Sequence, residues 1–279
     1  GDTGRMRTDE RGNILAFSDY WRSLISLWKD GEQKKIWEEM LRYRDGRGRN
    51  FGNIFFQFMS EKTGDLLKVD ALFSDLTGAK IMGEVIPVSQ EPSDLYFETI
   101  SGKKYKGEHH LDDLRMSYDR VKKIWLNPEV KASNGASKSI EEADVVIVGP
   151  GSIYGSMIVN FLPKGMAESF RKSKAKKILI VNLVSLANEV EKFDSEVCNQ
   201  IFGKYIYDNC FDMVIEPDFG TIKKDLLEEV RKNYALENSQ LFENNTQNSF
   251  DVVTVDKKNK RLRHDVSKLA KLFSKILVK

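Results

Sequence analysis

The chain has 279 residues, of which 41% are hydrophobic and 31% are charged, and its formal net charge is only +2. This composition is typical of a folded protein with a sizeable core, and the nearly neutral charge argues against a nucleic-acid partner. Since no apolar run approaches the ~20 residues of a membrane helix and no signal-peptide pattern opens the chain, we expect a cytoplasmic protein without a membrane span.

The first third of the chain is predicted to be helical. Apolar residues recur at helical spacing over residues 13–29, and a second helix is expected over residues 32–43. A basic, glycine-rich loop over residues 42–53 then leads into an apolar helix over residues 54–62. The predicted helix ends are marked by Gly64 and Gly78.

Residues 80–128 read as a β-rich subdomain inserted into a single domain of residues 1–279. Short strands are predicted over residues 82–88, 95–100, 105–111 and 120–126, with a hairpin turn at Gly102 and Lys103. His109 and His110 fall in this β pattern, where neighbouring side chains point to opposite faces. We therefore expect no zinc site from this pair.

Strands and helices alternate from residue 140 onwards. The predicted strands cover residues 145–148, 178–182, 213–216 and 252–255, and a last helix covers residues 265–278. Such alternation favours parallel strands with right-handed crossovers. The predicted fold class is therefore α/β: a Rossmann-like, three-layer fold with a mostly parallel sheet and a small antiparallel β insertion.

The most informative segment is the glycine loop that follows the strand at residues 145–148. Gly149 and Gly151 allow the backbone to turn and to approach a ligand closely. Ser152 is placed to cap a helix whose free amides point back at the loop, an arrangement that suits phosphate. The loop matches neither common phosphate-binding motif in full, so an ordinary strand-to-helix turn is an equal alternative.

Other candidates are scattered along the chain. Asn182 ends a predicted strand and has an amide suited to reading a base or a sugar, and Glu189 is one of the carboxylates nearest the loops. No Ser-His-Asp or Cys-His arrangement is present, so the sequence assigns no catalytic residue. Cys198 and Cys210 lack metal-ligand spacing and are interpreted as reduced thiols.

Several segments together resemble the YvcK/CofD family, which includes the gluconeogenesis factors and 2-phospho-L-lactate transferase. Residues 149–162 are similar to the family's GPGSLYTSIIPNLL segment, and residues 176–183 to its strand ending in Asn-Leu. Residues 51–55 resemble an HSxGN element, and residues 263–265 the closing Arg-His-Asp. Residues 1–7 look like the tail of DDGGSSGRLR; because they begin at Gly1 rather than Met, we expect natural sequence upstream.

The resemblance implies a Rossmann-like protein that binds a nucleotide or a nucleotide-linked ligand. In the YvcK branch this is a UDP-sugar, bound by a regulator of carbon metabolism, cell-wall synthesis and cell shape. In the CofD branch a phospholactyl group is transferred from a guanosine-linked donor with magnesium. We favour the regulator and keep the transferase as the alternative; no cofactor is certain, and a homodimer is left open.

The resemblance also suggests which residues contact the ligand. Backbone amides of the 149–152 loop would hold the diphosphate, a second loop near the start of the chain would approach it, and asparagines would read base or sugar. Tyr154 would stack on the ligand or pack on its own helix. The full predicted set is Gly4, Arg5, Arg7, Asn53, Gly149, Gly151, Ser152, Tyr154, Asn182 and Glu189.

Two departures from the family pattern concern this set. The histidine of HSxGN is absent, and Arg49 and Asn50 stand in its place. The Gln-Pro-Gly-Glu-Thr run has become residues 186–190 and keeps only Glu189. The Asp-Asp pair of the family would lie upstream of Gly1, so no metal ligand is assigned.

Overall fold

A computed structural model of the chain describes residues 8–9, 12–13, 17–244, 249–256 and 258–277. Three predicted ligand contacts, Gly4, Arg5 and Arg7, lie outside these residues. Among the described residues, none of the helices combines the length and the apolar character that crossing a membrane requires.

Ten α-helices occur in the described part of the chain. They are α1 Ser18–Ser26, α2 Glu32–Arg42, α3 Phe51–Thr63, α4 Val69–Thr77, α5 His109–Asp113, α6 Asn134–Glu142, α7 Met166–Lys172, α8 Ser195–Tyr205, α9 Lys224–Leu236 and α10 Val266–Ile276. Shorter helical turns cover Leu66–Lys68, Ile153–Met157, Ile158–Phe161 and Phe219–Thr221.

The described strands number thirteen. They are β1 Thr8–Asp9, β2 Gly12–Asn13, β3 Asp94–Thr99, β4 Lys104–Lys106, β5 Val121–Asn127, β6 Val145–Val148, β7 Lys176–Ile180, β8 Val184–Leu186, β9 Met213–Pro217, β10 Ser239–Leu241, β11 Ser249–Phe250, β12 Val253–Asp256 and β13 Arg261–His264.

A four-stranded parallel sheet in the order β11-β9-β7-β6 organises the carboxyl-terminal half. The prediction of an α/β fold with a parallel sheet is confirmed for β6, β7 and β9. The prediction that residues 252–255 form a fourth parallel strand is wrong. Residues 253–255 belong to β12, which pairs antiparallel with β13 in a separate hairpin, and β11 lies beside β9 instead. The three-layer arrangement of the helices stays a prediction.

The expected antiparallel block is present as a three-stranded sheet in the order β4-β3-β5. The hairpin turn between β3 and β4 is confirmed: Gly102 has φ 85°, which glycine adopts without strain. Residues 82–88, by contrast, form no extended strand within the described chain. The strand predicted over residues 105–111 stops at Lys106 and gives way to α5, which carries both histidines.

The first predicted helix is shorter than its apolar pattern suggests. Residues 12–13 belong to β2, and α1 begins only at Ser18 and ends at Ser26. Its next residues turn away, because Trp28 pairs with Ile81 in an antiparallel bridge. The two glycine helix ends are confirmed, since Gly64 and Gly78 both adopt left-handed φ values of 66° and 68°.

Two separate hydrophobic clusters hold the described chain together. The larger one gathers the parallel sheet, the antiparallel sheet and the helices around them, with Phe97 and Phe170 fully buried. The smaller one belongs to α1–α4 and centres on Trp21, Phe56 and Phe73. The glycine loop therefore lies with the larger cluster, and the amino-terminal helices form a core of their own.

Candidate functional site

The glycine loop connects the carboxyl end of β6 to a short helical segment. Ser152 caps this segment, since its Oγ accepts a hydrogen bond from the amide of Gly155 at 3.0 Å. The carbonyl of Ser152 accepts from the amide of Met157 at 3.0 Å, which makes the first turn a π turn. Such turns are rare and occur frequently at functional sites.

Asn182 fixes the loop from the neighbouring strand. It follows the end of β7, and its Oδ1 accepts a hydrogen bond from the amide of Gly151 at 2.7 Å. Its Nδ2 donates to the carbonyl of the same glycine. The Asn182 amide thus pairs with both backbone groups of Gly151, as a neighbouring strand would. The predicted role of Asn182 was instead to hydrogen-bond a base or a sugar.

The Glu189 side chain also holds the loop in place. Its side chain is buried, and Oε1 accepts from the Ser152 Oγ at 2.6 Å and from the Ile153 amide at 3.2 Å. Oε2 accepts from the Ser185 Oγ at 3.1 Å. Burial raises the pKa of the Glu189 carboxyl above its ordinary value, although these hydrogen bonds act in the opposite direction.

Three amides of the loop have no acceptor among the described residues. The backbone N–H groups of Gly149, Ser152 and Tyr154 donate no hydrogen bond to any described residue. Two of them belong to the cap and the first turn of the helical segment, where free N–H groups favour an anion. Because Gly151 and Ile153 are already bound to side chains, these three groups are the donors that remain.

Four of the predicted residues meet at one cleft of about 370 Å³. Its wall is completed by residues from α5, β8, α9 and β10. The lining residues are Leu111, Asp112, Gly151, Ser152, Asn182, Val184, Ser185, Leu186, Glu189, Tyr234, Glu237 and Ser239.

Other predicted contacts lie elsewhere. Asn53 sits in the first turn of α3, and its Oδ1 accepts from the Ser18 Oγ at 3.0 Å and from the Trp21 Nε1 at 2.9 Å. These bonds place it in the smaller hydrophobic cluster rather than at the loop. The Tyr154 side chain is buried in the larger cluster, and burial raises its pKa, so its observed contacts are those of packing.

Sequence reasoning missed the part of the site that comes from the antiparallel region. Leu111 and Asp112 reach the cleft from α5, and Asn188 ties this helix down by donating from its Nδ2 to the Leu111 carbonyl at 2.9 Å. No local pattern marks this long-range contact. Ser185 could have been found from the sequence, because it is a hydroxyl residue only four positions before the predicted contact Glu189.

Comparison with known proteins identifies the family. Residues 1–265 match the family model described as 2-phospho-L-lactate transferase CofD. The chain belongs to the CofD family. The family resemblance predicted from the glycine loop and its companion motifs is thereby confirmed.

Within the CofD family, curated relatives are named gluconeogenesis factors. The one from Bacillus subtilis is 24% identical over 294 residues, which cover 99% of this chain and 87% of the relative. The one from Listeria innocua is 28% identical over 233 residues, which cover 81% of this chain and 69% of the relative. A crystal structure of a Bacillus halodurans protein superposes with a TM-score of 0.78 at 22% identity, covering 92% of this chain and 83% of that one, and so shows the same fold.

The carboxylates that line the cleft offer little to a magnesium ion, the metal that the sequence resemblance implies for a transferase. Glu189 is occupied by three donors, and Glu237 is paired with the Arg261 guanidinium. Asp112 is the one cleft carboxylate whose side-chain oxygens no described residue engages. A magnesium ion here would therefore depend on Asp112 and on the phosphates of its ligand.

Proposed function

We propose that this protein binds a nucleotide sugar of the UDP-sugar class and acts in the cytoplasm as a regulator of the gluconeogenesis-factor type. Such a regulator would control carbon metabolism, cell-wall synthesis and cell shape. The single observation that carries the proposal is the fixed glycine loop: three of its amides have no acceptor in the part of the chain that the structure describes, and they lie at the start of a helical segment beside the cleft.

The loop is suited to a diphosphate for a physical reason. Three N–H groups, those of Gly149, Ser152 and Tyr154, have no acceptor among the described residues. Charge-assisted hydrogen bonds to phosphate oxygens are roughly twice as strong as neutral ones. The loop pays little ordering entropy on binding, because Asn182 and Glu189 already hold it. The cleft of about 370 Å³ falls in the usual size range of small-molecule sites.

The alternative is a CofD-like transferase that moves a phospholactyl-type group from a guanosine-linked donor with magnesium. The match to the family model described as 2-phospho-L-lactate transferase favours it. Against it stands the cleft's supply of carboxylates, of which two are committed to neighbours. The names of the curated relatives support the regulator.

Calorimetric titration of the full chain with UDP-glucose, UDP and uridine tests the proposal. We expect UDP-glucose and UDP to bind at similar strength and uridine at least tenfold more weakly, because uridine lacks the diphosphate. Incubation of the protein with UDP-glucose should leave the ligand intact. Equal binding of all three, or no binding at millimolar concentration, contradicts the proposal.

The variant Gly149→Ala locates the binding site. A Cβ at Gly149 would meet nothing within 4 Å, so the folded protein should tolerate it, while the methyl group would crowd a ligand that approaches the amide of residue 149 itself. Gly46→Ala is the matched control, since its Cβ also meets open space in a distant loop. We expect weaker UDP binding only in Gly149→Ala. Magnesium-dependent consumption of a guanosine-linked donor would instead establish the transferase.

A further inference from the structure

The short helix α5 carries a cluster of potential metal ligands that lies outside the glycine loop. One imidazole nitrogen each from His109 and His110 and one carboxylate oxygen of Asp113 all lie within 4.8 Å of one another. Within the described residues, this is the one such group of three histidine, cysteine or acidic side chains. The expectation that the two histidines point to opposite faces of a strand is wrong, because they lie on a helix.

Helix geometry brings the three side chains together. Residues three apart on a helix are neighbours, and the His110 Nδ1 lies 3.2 Å from the Asp113 Oδ2. The ring centroids of His109 and His110 are 4.0 Å apart. The three side chains therefore face one small volume at the surface of the molecule.

A buried nitrogen in this cluster has no hydrogen-bond partner among the described residues. The Nδ1 atom of His109 is out of contact with solvent, and no described residue forms a hydrogen bond with it. Leaving such a polar atom unsatisfied costs about 1–3 kcal/mol, and most buried polar groups in native proteins are paired. A cation bound at Nδ1 would remove this deficit, because an imidazole nitrogen without its proton is a metal ligand.

We propose that His109, His110 and Asp113 bind one divalent first-row transition-metal ion, with Zn²⁺ as the type ion. Two imidazoles and a carboxylate are a donor set that Zn²⁺ accepts, with water in the fourth position. The three ligand atoms lie up to 4.8 Å from one another. Tetrahedral Zn²⁺, with bonds of about 2.0–2.2 Å, needs them closer together. The Asp113 side chain is 64% exposed and the His110 side chain 36%, so both can rotate inwards.

The ion would stabilise a helix that cannot stand by itself. Helix α5 has five residues, far fewer than an isolated helix needs in water. It also supplies Leu111 and Asp112 to the wall of the cleft. Metal binding at the histidines would therefore fix one wall of the cleft without contacting the glycine loop.

Titration of the untagged, chelator-treated full chain with Zn²⁺ alone tests the proposal, and Co²⁺ absorption reports the ligand field. We expect one equivalent to bind, and His109→Ala and Asp113→Asn each to lower the affinity at least ~10-fold. Asp75→Asn is the matched control: it makes the same charge change at an exposed position of α4, outside both the cluster and the cleft, and should keep the affinity of the unmodified chain.

Folding of the variants is checked without metal by circular dichroism and thermal unfolding. Asp113→Asn alters an exposed side chain, so it keeps the test valid if His109→Ala fails to fold. The proposal is overturned if the unmodified chain binds no Zn²⁺, or if Asp113→Asn binds it as tightly as Asp75→Asn does. None of these results depends on UDP binding, because the metal is the only probe.

Discussion

Glu189 is the residue whose replacement tests the architecture of the site most directly. In Glu189→Ala the Ile153 amide and the hydroxyls of Ser152 and Ser185 lose their acceptor. A buried unsatisfied donor costs about 1–3 kcal/mol, and the two hydroxyls can rotate towards other partners. The expected loss is about 3 kcal/mol of unfolding free energy, or roughly 6–12 °C in Tm for a chain of this size.

Glu189→Gln should behave differently, because the amide keeps the shape and most of the hydrogen bonds. Its oxygen can accept from Ser152 and Ile153, and its nitrogen can donate to the Ser185 hydroxyl. The raised pKa of Glu189 means that the folded state favours the protonated carboxyl. The stability of the unmodified chain relative to Glu189→Gln is therefore greatest below the ordinary pKa of 4.5. It falls as the pH rises through the raised pKa of the folded state.

Urea unfolding of the three proteins between pH 4 and pH 8 measures both effects. Glu191→Ala is the control, because it removes a carboxylate two residues away whose side chain is 77% exposed. Such surface groups contribute about 0–1 kcal/mol. Two results would refute the reasoning. One is a loss of less than about 1 kcal/mol of unfolding free energy in Glu189→Ala. The other is an unmodified chain that becomes more stable relative to Glu189→Gln as the pH rises.

Three further predictions concern the rest of the chain. Gly52→Ala should cost about 1–3 kcal/mol in urea unfolding, since its Cβ would lie 2.7 Å from a carbonyl oxygen of the preceding helix, whereas Gly46→Ala should unfold like the unmodified chain. Asn182→Ala should cost about 1–2 kcal/mol and weaken UDP binding, and unchanged affinity would argue against a held loop. Burial raises the pKa of Cys198 to about 12 and that of Cys210 to about 11, so both thiols should react with a disulfide reagent at pH 8 only after denaturant is added.

The parallel strands were predictable because their signal is local. The apolar residues 145–148 are β-branched throughout and end at a glycine, which indicates a buried strand followed by a turn. The strand at residues 252–255 carries a similar signal but pairs with β13, a charged segment for which no strand is predicted. The apolar pattern of a single strand does not determine which other strand it pairs with.

The sequence indicated that the glycine loop, Asn182 and Glu189 lie close together, but not what each of them contacts. The glycine loop, Asn182 and Glu189 do meet, because side chains that follow neighbouring parallel strands lie at one edge of a sheet. Their division of labour depends on distances: Asn182 and Glu189 bind the loop itself. The contribution of α5 depends on where a turn at Gly107, with φ 101°, directs the chain, and this is a tertiary property.

The hydrogen bonds that hold the loop have a kinetic consequence. The amides of Gly151 and Ile153 find their acceptors 31 and 36 residues further along the chain. Neither bond can form or break by local fraying alone, so both amides should exchange with solvent deuterium only when the segment after β7 comes away. The neighbouring amide of Ser152, which has no acceptor in the described chain and belongs to a half-buried residue, should exchange fast and become slow when a ligand is bound. Deuterium exchange thus separates, within three consecutive residues, the amides that build the loop from one that it offers to a ligand.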